Sequence, residues 1–116
     1  MDGIDLKKQS EEIGIDIKNL LSLYILYVEQ TDHDIVKMET LIAEKDSKAI
    51  RDMAHHIKGA SLNLELVKMV DFTKFLQNLA EQNDWNQITT VFDQVKEYFK
   101  ELKMHLEKLH NEERAS

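Results

Sequence analysis

Residues 20–28 read Leu20-Leu21-Ser22-Leu23-Tyr24-Ile25-Leu26-Tyr27-Val28, and how this run folds decides the architecture of the chain. Tyrosine, isoleucine and valine favour strands, so the run taken alone suits a buried strand as well as a helix. The residues beyond it suit only a helix. Leu20, Tyr24, Tyr27, Val28, Ile35, Met38, Leu41 and Ile42 recur in steps of three and four, the spacing of one helical face. Asp16 stands where it can cap the start of that helix. Residues 20–28 are apolar nearly all round, so they are expected to be covered on more than one side. The obvious cover is the preceding segment, which carries Ile4, Leu6 and Ile13 among charges and is expected to be a short helix or a loose arm. The apolar run has nine residues, far fewer than the roughly 20 that a membrane span needs.

Beyond residue 43 the helical period continues. Asp46 or Ser47 is expected to cap a second helix that runs to about Leu64, with Ile50, Met53, Ala54, Ile57, Ser61 and Leu64 inward. A third helix is expected near residues 66–82, burying Leu66, Met69, Phe72, Thr73, Leu76, Leu79 and Ala80. Asn83 and Asp84 supply a turn and a cap. A fourth helix carries Trp85, Ile88, Val91, Phe92, Val95, Phe99, Leu102, Leu106 and Leu109. The polar tail, about 111–116, is expected to fray. Long amphipathic helices with short joins make antiparallel neighbours. The expected fold is all-α: an up-down four-helix bundle with a short N-terminal helix or arm, one domain over 1–116. Helix packing accounts for the whole core without a cofactor.

Composition points the same way. The chain has 116 residues, 42% of them hydrophobic and 32% charged, which is a folded composition for one domain. It has no proline and three glycines, too few turn residues for a β-rich fold. Fifteen lysines and arginines are scattered among 22 acidic residues for a net charge of −7. Nucleic-acid binding is disfavoured, because phosphate neutralisation needs clustered basic groups. No cysteine is present, which removes disulfides and thiol chemistry. The polar N-terminus MDGIDLKKQSEEIG lacks a signal-peptide core, so the cytoplasm is the expected location and no membrane partner is expected.

The chemistry sits in the second helix, in Arg51-Asp52-Met53-Ala54-His55-His56-Ile57-Lys58-Gly59-Ala60-Ser61-Leu62. With about 100° between residues, His55 points about 160° from the centre of the apolar stripe, into water. Arg51, Lys58, Gly59 and Leu62 share its face, whereas His56 lies on the opposite flank, about 100° from the stripe centre. A glycine inside a helix costs roughly 1 kcal/mol relative to alanine, and close approach of another molecule to the backbone is a reason to keep one. Leu62 is an apolar side chain that a partner can cover. An exposed neutral imidazole is a nucleophile. Phosphoryl transfer to it would leave a dianion that Lys58, helped by Arg51, can balance. The sequence has neither a glycine-rich phosphate loop nor a carboxylate cluster for magnesium. The chain is therefore suited to hold a phosphoryl group and unsuited to take one from ATP.

The run Ala54-His55-His56-Ile57-Lys58-Gly59-Ala60-Ser61 resembles the Ala-His-x-Leu-Lys-Gly-Ser-Ser signature of histidine-phosphotransfer (HPt) domains. The resemblance extends weakly over most of the chain through helix lengths. It implies that His55 is the phosphorylated residue, that Lys58 steadies the phosphoryl group, and that Gly59 leaves room for the partner. It also implies a carrier between response-regulator receiver domains in a relay downstream of a hybrid sensor histidine kinase. No cofactor of its own is expected; Mg2+ would come with the receiver. The family often has a glycine ten residues after the active histidine, where this chain has Glu65, and a Leu-Glu pair in the third helix, where it has Leu76-Gln77. Both positions are expected to lie away from the reactive face.

Other roles fit these residues less well. His56 suits a flanking helper or a plain surface residue. Adjacent histidines on a helix diverge too far to share one ion, so a metal-dependent bundle enzyme is disfavoured. His33, His105 and His110 are expected at the surface. A non-catalytic helical adaptor, docking on a receiver or kinase through Leu62 and the nearby basic groups, is the main alternative function.

Overall fold

The computed structural model describes residues 4–115. Among them are five helices and no strand: α1 (Leu6–Ile13), α2 (Ile17–Ala43), α3 (Ser47–Asn63), α4 (Val67–Glu81) and α5 (Trp85–Ala115). Aspartates start four of them. Asp5 accepts from the amide of Lys8, Asp16 from Asn19, Asp46 from Ala49 and Asp84 from Gln87. Each satisfies an amide that the first helical turn leaves open. The exception is α4, which begins after Leu66 with no side-chain cap.

The three joins between the long helices share one geometry. Lys45, Glu65 and Asn83 adopt φ of 54°, 57° and 55°. At each join the left-handed residue donates to one carbonyl of the last helical turn, and the next residue donates to the carbonyl just before it. The pairs are Lys45 to Ile42 and Asp46 to Leu41, Glu65 to Leu62 and Leu66 to Ser61, Asn83 to Ala80 and Asp84 to Leu79. This is the Schellman closure, which satisfies terminal carbonyls and reverses the chain within a few residues. Asparagine tolerates this conformation, whereas for lysine and glutamate it costs roughly 1–2 kcal/mol. Glu65 occupies the position where the sequence signature often carries glycine, and the backbone there supplies the reason for glycine.

Cross-helix contacts fix the directions. Asp32 and Glu39 of α2 meet Lys103 and Lys96 of α5, so one helix ascends as the other descends. Tyr27 and Asp34 of α2 likewise meet Ser61 and His56 of α3. Each helix from α2 to α4 packs on its successor, and α5 closes back on α2. The result is an antiparallel four-helix bundle of 48 × 23 × 20 Å.

The core contains Leu20, Tyr24, Met38, Ile50, Met69, Leu76, Ile88 and Leu102, all with almost no accessible surface. Most predicted inward positions are buried. Val28, Leu41, Ile42, Met53, Phe72, Trp85 and Leu109 are only partly so and border the core. Tyr98, Thr31 and Asp34 are buried as well.

Three expectations require correction. The N-terminal segment forms α1 but covers only the inner side of residues 20–28. Leu20, Leu21, Tyr24 and Tyr27 are buried, whereas Leu23, Ile25 and Leu26 remain exposed. The reason is the way α1 docks: Gln9 donates to the Leu64 carbonyl at 3.0 Å and accepts from the Tyr24 hydroxyl at 2.6 Å. That buried clamp holds α1 at the end of α3 and leaves the outer side of α2 open. The tail also differs, because α5 continues as helix to Ala115 instead of loosening near 111. His33 is exposed as expected, but His105 and His110 are not plain surface groups. They are half-buried, and His105 Nε2 and His110 Nδ1 are enclosed without a hydrogen-bond partner.

Candidate functional site

The two faces of α3 carry different chemistry. Ile50, Ala54, Ile57 and Ser61 point into the core. The Ser61 hydroxyl, fully buried, donates to the Ile57 carbonyl at 2.7 Å and lies 2.7 Å from the Tyr27 hydroxyl. Since Ser61 gives its proton to that carbonyl, Tyr27 is the donor in the second bond. Burial pushes the Tyr27 hydroxyl above its ordinary pKa, and the nearby Asp34 charge pushes the same way against the hydrogen bond with Ser61. The tyrosine is thus fixed as a neutral donor that ties α2 to α3 beneath the outer face.

On that outer face His55 and Gly59 are exposed, Leu62 is 62% exposed, and Arg51 and Lys58 are half-buried. The helix phase thus gathers His55, Lys58, Gly59 and Leu62 on one solvent-facing strip, with Arg51 one turn before. Nothing lies within 4 Å of where a Gly59 Cβ would stand. Packing inside the chain therefore places no demand for glycine there. A helix former would serve the fold better by about 1 kcal/mol.

Lys58 is not free to wander. Its Nζ donates to Gln77 Oε1 of α4 at 3.3 Å. The sequence pattern predicts Gln77 away from the reactive face, and the structure corrects this: Gln77 reaches that face from the neighbouring helix. The amide oxygen is neutral, so it orients the ammonium without cancelling its charge. Arg51 sits 3.6 Å from Asp52 in an exposed pair, a contact too weak to hold it.

His56 leans to the opposite flank, where its Nε2 lies 3.5 Å from Asp34 Oδ2 of α2. The bundle also adds residues from α2. Tyr27 meets Ser61, so their sequence neighbours Leu26 and Leu62 lie at one level of the bundle. Leu26 is 61% exposed and Leu23 is exposed one turn earlier. They form exposed apolar surface on α2, at the level of the C-terminal half of α3. Sequence alone marks residues 23 and 26 as part of an all-round apolar run; that they stay uncovered is the signal it cannot give.

Among the described residues, no group of three or more His, Asp or Glu side chains is arranged to hold a metal ion. No helix among them is long and apolar enough to cross a membrane.

Comparison with known proteins bears on the arrangement as a whole. No curated protein and no solved structure matches the chain. The family model of the Hpt domain matches residues 22–112, from early in α2 nearly to the end of α5. An exposed histidine beside a lysine and a glycine, borne on a helical bundle of this size, agrees with that match over most of the sequence. The chain therefore belongs to the Hpt domain family, the helical bundles that take part in histidine phosphotransfer within two-component signalling.

Proposed function

We propose that His55 is the phosphoryl acceptor and that the chain carries the group between receiver domains. In the forward step a lone pair on an imidazole nitrogen of His55 attacks the phosphorus of a receiver's aspartyl phosphate. The P–N bond forms as the P–O bond breaks, and the carboxylate leaves with the bonding pair. The other ring nitrogen keeps its proton, so no base is required. Lys58, oriented by Gln77, faces the dianion that results. The reverse step, onto a second receiver, uses the same geometry. Magnesium belongs to the receiver's acidic pocket in this scheme, and the first donor is the receiver portion of a hybrid sensor kinase.

The observation that carries this assignment is the unused backbone at Gly59, one turn from an exposed His55. Fold stability argues against glycine at that position, and an incoming partner argues for it. Leu62 gives that partner an apolar landing point on the C-terminal side of His55, and Leu23 and Leu26 add exposed apolar surface on the neighbouring α2. The charged Asp52 and Arg51 lie on the N-terminal side. Such an interface is expected to be modest and short-lived, as a carrier must release each partner.

The test is direct. A receiver domain charged with radiolabelled phosphoryl is mixed with wild-type chain and with His55→Gln. Wild type is expected to take up acid-labile, base-stable label, and His55→Gln to take up none while remaining folded. Label on His55→Gln at the wild-type rate would move the acceptor elsewhere. Binding of the receiver to both chains with uptake by neither would instead favour an adaptor role.

A further inference from the structure

The seam between α2 and α3 beside His55 holds a charged pair that the proposed transfer leaves unused. The side chain of Asp34 is 6% exposed, that of His56 is 58% exposed, and Nε2 stands 3.5 Å from Oδ2. The other carboxylate oxygen, Oδ1, accepts from Gln30 Nε2 at 3.0 Å. A buried carboxylate is costly unless its charge is met. Gln30 offers a neutral hydrogen bond; the ion pair is complete when His56 carries its second proton. The other ionisable groups around it are few. Lys37 of α2 and Asp52 of α3 line the same shallow cleft. Asp52 is exposed and lies 3.6 Å from Arg51, so it adds a solvated negative charge on the same flank. Tyr27, which feels the Asp34 charge, is kept neutral by burial.

His55 and His56 are sequence neighbours whose side chains diverge by about 100°, which separates the two rings by on the order of 8–10 Å. Charges at that range on a protein surface still interact, because they lie within about one Debye length. A phosphoryl group on His55 brings two negative charges to one side of the pair. Lys58 flanks it with an ammonium group. His56 flanks it with a ring that is positive when it holds its second proton.

Resting on His55 as the acceptor, we propose that His56, held by Asp34, is a proton-binding site linked to the phosphoryl group, so that phosphorylation of His55 and protonation of His56 favour each other. The proton comes from solvent and returns there when the phosphoryl group leaves. His56 forms no bond to phosphorus. Linkage of this kind is reciprocal: whatever factor phosphorylation adds to proton affinity, protonation adds to phosphoryl affinity. The separation and the screening set that factor at about twofold to fivefold. His56 acts here as a positioning charge, and Asp34 acts through it.

Equilibrium uptake from one charged receiver domain, measured from about pH 6 to about pH 8.5 across the imidazole range, tests the linkage. The chains are wild type, His56→Gln, His56→Lys and Asp34→Asn. Dividing each variant by wild type at the same pH removes the titration of His55, of the donor and of the acid-labile product. Wild type is expected to exceed His56→Gln about twofold to fivefold at the acid end and to match it at the alkaline end. His56→Lys, with a fixed charge, is expected to hold the acid-end level throughout. Asp34→Asn, which leaves His56 without its carboxylate partner, is expected to narrow the acid-end excess over His56→Gln. The two His56 variants replace a largely exposed side chain, so they keep the test sound if Asp34→Asn folds poorly. A wild-type to His56→Gln ratio that stays flat with pH, in chains that do label on His55, overturns the linkage alone. Absence of label at His55 in every chain overturns the acceptor assignment and the linkage together.

Discussion

The inner and outer faces of α3 obey different rules, though they share one backbone. Every inner residue is explained by what it touches: Ile50 and Ile57 fill the core, Ala54 admits close packing, and Ser61 is bonded to Tyr27 and to its own helix. The outer residues are not explained by the fold. Gly59 weakens the helix with nothing packed against it, Leu62 exposes apolar surface, and Lys58 is anchored by a glutamine from another helix. Where a residue choice runs against stability without an internal partner, the proposed function supplies the reason, a partner outside the molecule. One helix thus carries two kinds of constraint, and each residue can be assigned to one of them by asking what it touches.

Substitutions put that contrast at risk. The largest effect on stability is expected at the inner face. Ile57→Ala removes a fully buried side chain and is expected to cost about 3 kcal/mol in denaturant unfolding. His55→Gln, two residues away, is expected to change stability by less than about 0.5 kcal/mol. Equal costs at the two positions would erase the distinction.

Gly59→Ala separates fold from function most sharply. It is expected to stabilise the chain by about 1 kcal/mol, because the added methyl meets nothing. Phosphoryl transfer is expected to slow at least about tenfold, since about 1.4 kcal/mol of lost partner contact is enough for that. A variant that is both more stable and fully active would leave Gly59 without a role.

The tie between α2 and the inner face of α3, Tyr27 to Ser61, predicts an alkaline limb. The Tyr27 hydroxyl is raised above its ordinary value, first by burial. The folded chain therefore keeps this proton where the unfolded chain has lost it. Its contribution is complete below the unfolded value near pH 10 and is lost as pH rises through the higher folded value. Tyr24, raised by burial in the same way, adds to the trend. Unfolding free energy is expected to fall above about pH 10. Tyr27→Phe is expected to flatten that limb while costing about 1 kcal/mol at neutral pH for the lost hydrogen bond.

The smallest effect lies at the end of α3. Glu65→Gly relieves a left-handed residue but adds freedom to the unfolded chain. A net gain of about 0.5 kcal/mol is expected, with transfer unchanged. A transfer defect there would extend the functional face around the helix end.

Much of this was legible in the sequence because it is local. Asp16, Asp46 and Asp84 announce helix starts, and the recurring apolar positions announce the faces they bury. His55, Lys58, Gly59 and Leu62 fall on one strip by helix phase alone. What was not legible depends on residues far apart in the chain. Gln77 meets Lys58 across a helix pair, and no spacing rule reports it. Asp34 and Gln9 are buried polar groups that each reach a partner on α3 or at its end, so a hydrophobic pattern passes over them. The start of α4 after Leu66 has no side-chain cap, and only the apolar period beginning at Leu66 marks it. Leu23, Ile25 and Leu26 misled for the opposite reason: apolar character suggested a cover, and α1 docks elsewhere.

The three Schellman reversals have a kinetic consequence. Each long helix is returned onto its predecessor within a few residues, so most packing partners are already close along the chain, and the α2–α5 seam and the docking of α1 on the end of α3 are left to close over longer stretches. Topologies dominated by such local contacts assemble within about microseconds to milliseconds. With no proline in the sequence, the slow isomerisation that delays many proteins is absent as well. A freshly made copy is therefore expected to be competent to receive its cargo almost as soon as synthesis ends, and one that opens transiently to close again before aggregation can begin.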